Sequence, residues 1–257
     1  MVIPAYKQEK TIVKDIKRIK SVLEKIRYAF EIVVVVDGRV DKTYSKARQL
    51  ESDTIRIVGY KNNKGKGHAV RYGIARTKGD LVSFIDAGMD INPNGLSMVL
   101  EHMEWYDADV IVGSKRHPAS KVPNYPFIRK VYSFGYHLLT RLLFGLKLRD
   151  TQAGLKIFKR KVLEAVLPRL LVKTHAFDIE ILSVARRLGF QRIFEAPIEL
   201  SPYEFINSSH IRLSTARDML QDTLAVFYRL KILKYYDDDN KRKWVYDPDL
   251  NFRVNLP

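Results

Sequence analysis

In FIDAGMD (Phe84 to Asp90) two carboxylates, Asp86 and Asp90, flank Gly88 just after a short apolar run. Carboxylates beyond the carboxyl end of a strand are hard oxygen donors, and two of them at i and i+4 of a loop can converge on one Mg²⁺ or Mn²⁺ ion. The same spacing also suits a polar turn, with Asp90 capping a helix near INPNG. Asp37 closes another apolar run, EIVVVVD. Lys64, Gly65 and Gly67 lie in a glycine-bearing loop ahead of a helical pattern, a geometry that lets backbone approach a phosphate. Ser114 to His117 and Pro4 to Gln8 add polar residues after two further apolar runs. His117 and His175 have no second His or Cys at ligand spacing and are read as bland.

These residues share a context. Val2–Pro4, Glu31–Asp37, TIRIVGY, LVSFID and ADVIVGS read as strands, the second so rich in β-branched residues that both its faces must be covered. Between them, Ile12, Ile16, Ile19, Leu23 and Ile26 form a helical stripe. A second helix is expected from His68 to Arg76, and a third after Pro93. Strand and helix alternating at this rhythm predict an α/β fold, a mostly parallel central sheet flanked by helices. Ligands bind such sheets beyond the carboxyl ends of the strands, and all five polar sets fall at those ends. Farther on, Phe127 to about Gly145, FDIEILSVARRLG and the amphipathic segment from Leu213 read as helices, and RIFEAPIEL as a strand. The C-terminal amphipathic helix either lies on a membrane surface or closes the domain.

Composition narrows the partners. The formal net charge is +16. Ser114 to Lys173 alone holds 14 Lys or Arg against Asp150 and Glu164. Such a block predicts anionic partners: phosphorylated ligands, an anionic lipid surface or nucleic acid. Tyr125, Phe127, Tyr132 and Phe134 accompany the charges, but their spacing suits a buried helix face better than a base-stacking platform, so nucleic acid is not an expected partner. The lack of Cys removes disulfides, thiolate metal sites and thiol nucleophiles, and agrees with a reducing compartment. No secretory leader is expected at Met1–Tyr6 and no membrane span in FGYHLLTRLLFGL, which is short and interrupted by Arg141.

IPAY (Ile3–Tyr6), VVDGRVDKT (Val35–Thr43), NKGKGHAVRYGIARTKGDLVSFIDAGMD (Asn63–Asp90) and RDTQAGLKIFKR (Arg149–Arg160) occur in that order. Together they resemble the family 2 glycosyltransferases, in particular the dolichyl-phosphate mannose or glucose synthase branch. The resemblance implies a Rossmann-like GT-A fold, with residues 1–205 as the transferase domain, 1–113 as its nucleotide-sugar half and 114–205 as its acceptor half. Residues 206–257 would be a C-terminal helix and tail. It implies inverting, metal-dependent transfer of a hexose from GDP-mannose or UDP-glucose to a polyprenyl phosphate, on the cytoplasmic face of a membrane. The C-terminal helix or a membrane-anchoring partner would hold the protein there.

By position, Pro4, Tyr6, Asp37, Lys64, Gly67 and Asp86 would bind the nucleotide sugar. Asp86 and Asp90 would hold Mg²⁺ or Mn²⁺, with Gly88 standing where the family has a second Asp. Asp86, Asp150 and Gln152 would be the catalytic residues at the sugar site, although Asp150 could simply pair with Arg149. Ser114, Lys115, Arg116, Arg129 and Ser133 would receive the acceptor phosphate. Lys7-Gln8 and Val36 also depart from the family's Asn-Glu and Asp at those places. A catalytically impaired nucleotide-binding protein and a transferase using a saccharide acceptor remain as alternatives.

Overall fold

The computed structural model describes residues 1–123, 127–201, 213–240, 243–250 and 252–256. In chain order its elements are β1 (Val2–Ala5), α1 (Ile12–Leu23), β2 (Ile32–Asp37), α2 (Thr43–Arg48), β3 (Ile55–Tyr60), α3 (Lys66–Ile74), β4 (Leu81–Ile85), α4 (Gly95–Trp105) and β5 (Val110–Ser114). There follow α5 (Phe127–Phe144), β6 (Leu155–Lys159), α6 (Arg160–Val166), α7 (Phe177–Arg187), β7 (Ile193–Pro197), α8 (Leu213–Phe227), β8 (Lys243–Asp247) and β9 (Phe252–Leu256). Seven strands form one sheet in the order β3-β2-β1-β4-β6-β5-β7. All pairings are parallel except those of β6, which runs antiparallel to both β4 and β5. The five strand ends singled out in the sequence therefore open on one edge.

The sheet is covered on both sides, as its β-branched strands require. In β2, Val33 and Val35 face a core made with α3, α6, α7 and α8, while Ile32 and Val34 face one made with α1, α2 and α4. This is the period-two alternation of a strand buried on both faces. The helical stripe of α1 buries Ile12, Ile16, Ile19 and Leu23, and Ile26 lies beyond its end.

Three elements differ from the sequence reading. The stretch around RDTQAGLKIFKRK contains β6, whose Lys156 is fully buried, rather than an open basic surface. The tail, opaque in sequence, forms the β8–β9 hairpin. The aromatic face of α5 is turned outward: Phe127, Tyr132 and Phe134 are 80%, 50% and 57% exposed. Its inward side is carried by Tyr136, Thr140 and Phe144, which meet α8 through a Tyr136–Thr223 hydroxyl bond and a Phe144–Phe227 ring contact. Tyr125 lies outside the described residues. The segment from Leu213 packs on the domain through Thr223, Val226 and Leu230, yet leaves Leu220, Leu224 and Tyr228 half-exposed.

Candidate active site

The centre of the open edge is the end of β4. Asp86 donates its backbone N–H to the carbonyl of Gly154 beside β6, which lays its carboxylate across that chain. Gly154 permits this. A Cβ there would stand 2.3 Å from Asp86 Oδ2. Oδ2 accepts from Lys66 Nζ at 2.9 Å, whereas Oδ1 is shut off from solvent without a hydrogen-bond partner. Lys66 also donates to Asp178 Oδ2 at 3.0 Å, and Lys156 donates to Asp178 Oδ1 at 2.5 Å. Burial alone would raise the pKa of Asp178, but the ammonium groups of Lys156 and Lys66 outweigh it and hold the carboxyl below its usual range. Burial would lower Lys66, and Asp178 and Asp86 more than reverse it. Lys66, Gly154, Lys156 and Asp178 were not selected from the sequence. The first signal was available in NKGKG; the others depend on β6 and α7 being brought beneath β4.

The turn after Asp86 explains Gly88. Its φ is +94° and that of Met89 is +57°, so two successive residues take the left-handed region. Glycine is the residue with least penalty there. The Gly88 N–H is held from below by Asp15 Oδ2 at 3.1 Å, and the Gln8 side chain lies 3.5 Å from where a Cβ at position 88 would be. Asp90 is exposed, and its carbonyl accepts from Ser201 N–H. It does not cap α4, whose N-cap residue is Asn94. Among the described residues, no group of three His, Asp or Glu is placed to hold a metal.

On the β1–β3 side, Asp37 is buried and serves the next loop: it accepts from the N–H groups of Lys64 (2.7 Å) and Gly65 (3.0 Å) and from Asn63 Nδ2 (2.9 Å). Gly67 is a packing residue. Its N–H already bonds the Lys173 carbonyl, and a Cβ would collide with Val172 O and Phe177. Lys64 pairs with Asp249 in the hairpin turn. Pro4 is buried in β1, while Tyr6 is 41% exposed at the edge, an open aromatic surface.

The third cluster follows β5. Asp150 is buried and pairs with Lys115 rather than Arg149: Oδ2 accepts from the Lys115 N–H at 3.1 Å, and Oδ1 from the Gln152 N–H. Gln152 reaches the Tyr136 hydroxyl at 3.4 Å, tying this loop to α5. Ser114, expected at the acceptor phosphate, is fully buried. Its hydroxyl accepts from Arg116 N–H and its carbonyl from Ser120, so it shapes the turn that presents its neighbours. Lys115, Arg116, Ser120, Val122, Lys130, Val131, Ser133 and Phe134 line a cleft of about 580 Å³. The Arg129 side chain lies outside the described residues. Other members of the basic block are tied up elsewhere: Lys159 pairs with Asp107, Lys161 with Asp109 and Arg169 with Asp238.

This geometry has known counterparts. The family model described as "Glycosyl transferase family 2" matches residues 1–167. The chain is a family 2 glycosyltransferase. A dolichyl-phosphate beta-glucosyltransferase of Trichomonas vaginalis is 32% identical to this transferase over 246 residues, covering 90% of it and 74% of the relative. One from Dictyostelium discoideum is 27% identical over 243 residues, covering 89% and 73%. Glucosyl-3-phosphoglycerate synthase of Mycobacterium tuberculosis, solved with Mn²⁺, UDP and phosphoglyceric acid, superimposes with a TM-score of 0.65 at 18% identity, covering all of this chain and 85% of that one. The family 2 transferase thus has the GT-A sheet expected from its motifs.

Proposed function

We propose that this transferase moves a hexose, glucose first among the candidates, from a nucleotide diphosphate sugar to a polyprenyl phosphate at a membrane surface. The cleft beside β5 carries the reading. Lys115, Arg116 and Lys130 supply cations while Val122, Val131 and Phe134 supply apolar wall, a match for a phosphate on a hydrocarbon tail. Beyond it, Phe127, Val131, Leu138 and Leu142 lie along one face of α5 and are 54–81% exposed. Leu220 and Leu224 of α8 are also about half-exposed, and exposed apolar side chains on a strongly basic chain suit an anionic lipid interface. Among the described residues no helix is long and apolar enough to cross a membrane; in this proposal the exposed apolar face of α5 rests on the cytoplasmic surface of the bilayer.

The relatives named as dolichyl-phosphate beta-glucosyltransferases support glucose and this acceptor class.

Each residue then has a task. Lys115 and Arg116 bind and orient the acceptor phosphate, which is ionised near neutral pH and attacks the anomeric carbon without a base. Asp178, buried behind the site, is locked between two ammonium groups and unsuited to take a proton from a sugar hydroxyl. Asp150 and Gln152 hold the loop between donor and acceptor sides. Tyr6 offers a face for the base, and the Asp37-bound loop places Lys64 near the phosphates.

Asp86 fits a divalent cation: Oδ1 is an acceptor without a donor, and Mg²⁺ sites commonly use one or two carboxylates plus substrate phosphates. Asp86, with Asp90, would hold Mg²⁺ or Mn²⁺, whose chemistry there is to offset the charge developing on the nucleotide diphosphate leaving group. The test is incubation with polyprenyl phosphate and labelled UDP-glucose or GDP-mannose, with and without Mn²⁺. Label should pass to the lipid fraction; failure with every donor would overturn the proposal.

A further inference from the structure

Four charged side chains run inward from the site. Asp86 is 43% exposed, Lys66 16%, Asp178 2% and Lys156 not at all. Lys66 bridges Asp86 and Asp178, and Lys156 binds Asp178 and the Ala153 carbonyl, the latter at 2.7 Å. The ammonium groups of Lys66 and Lys156 lie 5.8 and 5.5 Å from the Phe84 ring, which walls the chain off from water. Two positive and two negative groups balance. Desolvating such a set is expensive, and apolar side chains of similar volume commonly serve the fold as well or better. The arrangement has one outlet, the Asp86 carboxylate, with one oxygen engaged and the other unpartnered. Gly88 contributes no side chain, so the orientation of Asp86 carries more of the task.

We propose that Asp178 and Lys156 are positioning residues for the donor-diphosphate site: through Lys66 they fix the orientation in which Asp86 meets a divalent cation, with Oδ2 engaged and Oδ1 left without a donor. This rests on the donor-site reading above. Asp178 divides the attention of Lys66. Without it, Lys66 has Asp86 as its single anion and can take both carboxylate oxygens, closing the cation position. Outer partners of a metal-binding carboxylate typically alter metal affinity by about 10- to 100-fold.

The test is calorimetric titration of the full chain with UDP alone and with UDP plus Mn²⁺, with GDP as a second arm. Asp178→Asn should weaken nucleotide binding in the presence of Mn²⁺ by about tenfold or more, while binding of UDP alone stays within about twofold of the parent. Because Asp178→Asn leaves two buried ammonium groups short of an anion, Asp178→Asn/Lys156→Met is made beside it. That double variant removes one charge of each sign, an exchange buried pairs tolerate. It should melt cooperatively and show the same selective loss. A folded double variant whose Mn²⁺-dependent affinity is within about twofold of the parent overturns the assignment and leaves the donor site standing. A parent chain with no Mn²⁺-dependent binding of either nucleotide overturns the donor-site reading itself.

Discussion

Gly154→Ala adds one methyl group at a position with no chemistry of its own, and the structure specifies what it would strike. The new Cβ would lie 2.3 Å from Asp86 Oδ2 and 2.7 Å from its Cγ, where real Cβ contacts essentially never fall below 3.0 Å. The carboxylate must therefore retreat by about 0.7 Å or more, and the 2.9 Å bond to Lys66 lies on that path. Asp86 is a half-exposed side chain at a loop, so it can rotate away without moving the sheet. The cost to folding should be about 1 kcal/mol, a fall of roughly 2–4 °C in melting temperature for a chain of this size. The cost to function should be much larger. A displacement of about 1 Å in a positioned group commonly costs about 100-fold in rate, or about 2.7 kcal/mol. The assay is transfer of labelled glucose from UDP-glucose to polyprenyl phosphate, read as kcat/KM beside a thermal melt. Parent-like kcat/KM would refute the reasoning. So would a large loss of stability with activity retained, because the backbone of β6 would then have yielded instead of Asp86.

Arg116→Ala removes a cation from the acceptor cleft and should raise the KM for polyprenyl phosphate about tenfold or more while leaving the donor KM near the parent value; equal changes in both would argue against the placement. Leu138→Ser/Leu142→Ser replaces two exposed side chains of α5 and should weaken co-sedimentation with anionic vesicles more than tenfold, since burying each leucine is worth about 1.5–3 kcal/mol, with undiminished vesicle binding as the contrary result. Burial, reinforced by Lys64 and Arg71, pushes the His68 imidazole down to about 4. The unfolded chain binds this proton below about pH 6.5 and the folded one only near 4. The His68 contribution is thus fully present above pH 6.5 and lost as pH falls toward 4, up to about 3 kcal/mol. Urea titrations should show this acid limb in the parent and a flatter one in His68→Gln; identical limbs would rule it out.

Much of the fold was legible because it rests on periodicity. A run such as IVVVVD can satisfy its apolar faces only inside a two-sided sheet, and the α1 stripe can bury only one face of a helix. The alternation of such segments sets a parallel sheet, and with it an edge where Asp37, Asp86 and Ser114 all arrive. β6 escaped because its polar flanks and its lysines read as surface. Lys156 is buried only because Asp178, 22 residues later, meets it within the core. The outward aromatic face of α5 escaped for a related reason: helical spacing groups residues on one face but does not say whether protein or lipid will cover it.

The sequence by itself determined the residue types at the strand ends, and therefore a family with anionic substrates and an oxygen-donor site. Tertiary structure decided what each of those residues does. It turned Asp37 and Ser114 into supports for neighbouring loops, made Gly67 a contact surface, and drew part of the basic block into separate ion pairs. It also joined Lys66 to Asp86 and Asp178. The physical reason is that hydrogen bonds and ion pairs act over about 3 Å in space, and chain order carries no measure of that distance until the sheet has brought β4, β6 and α7 together.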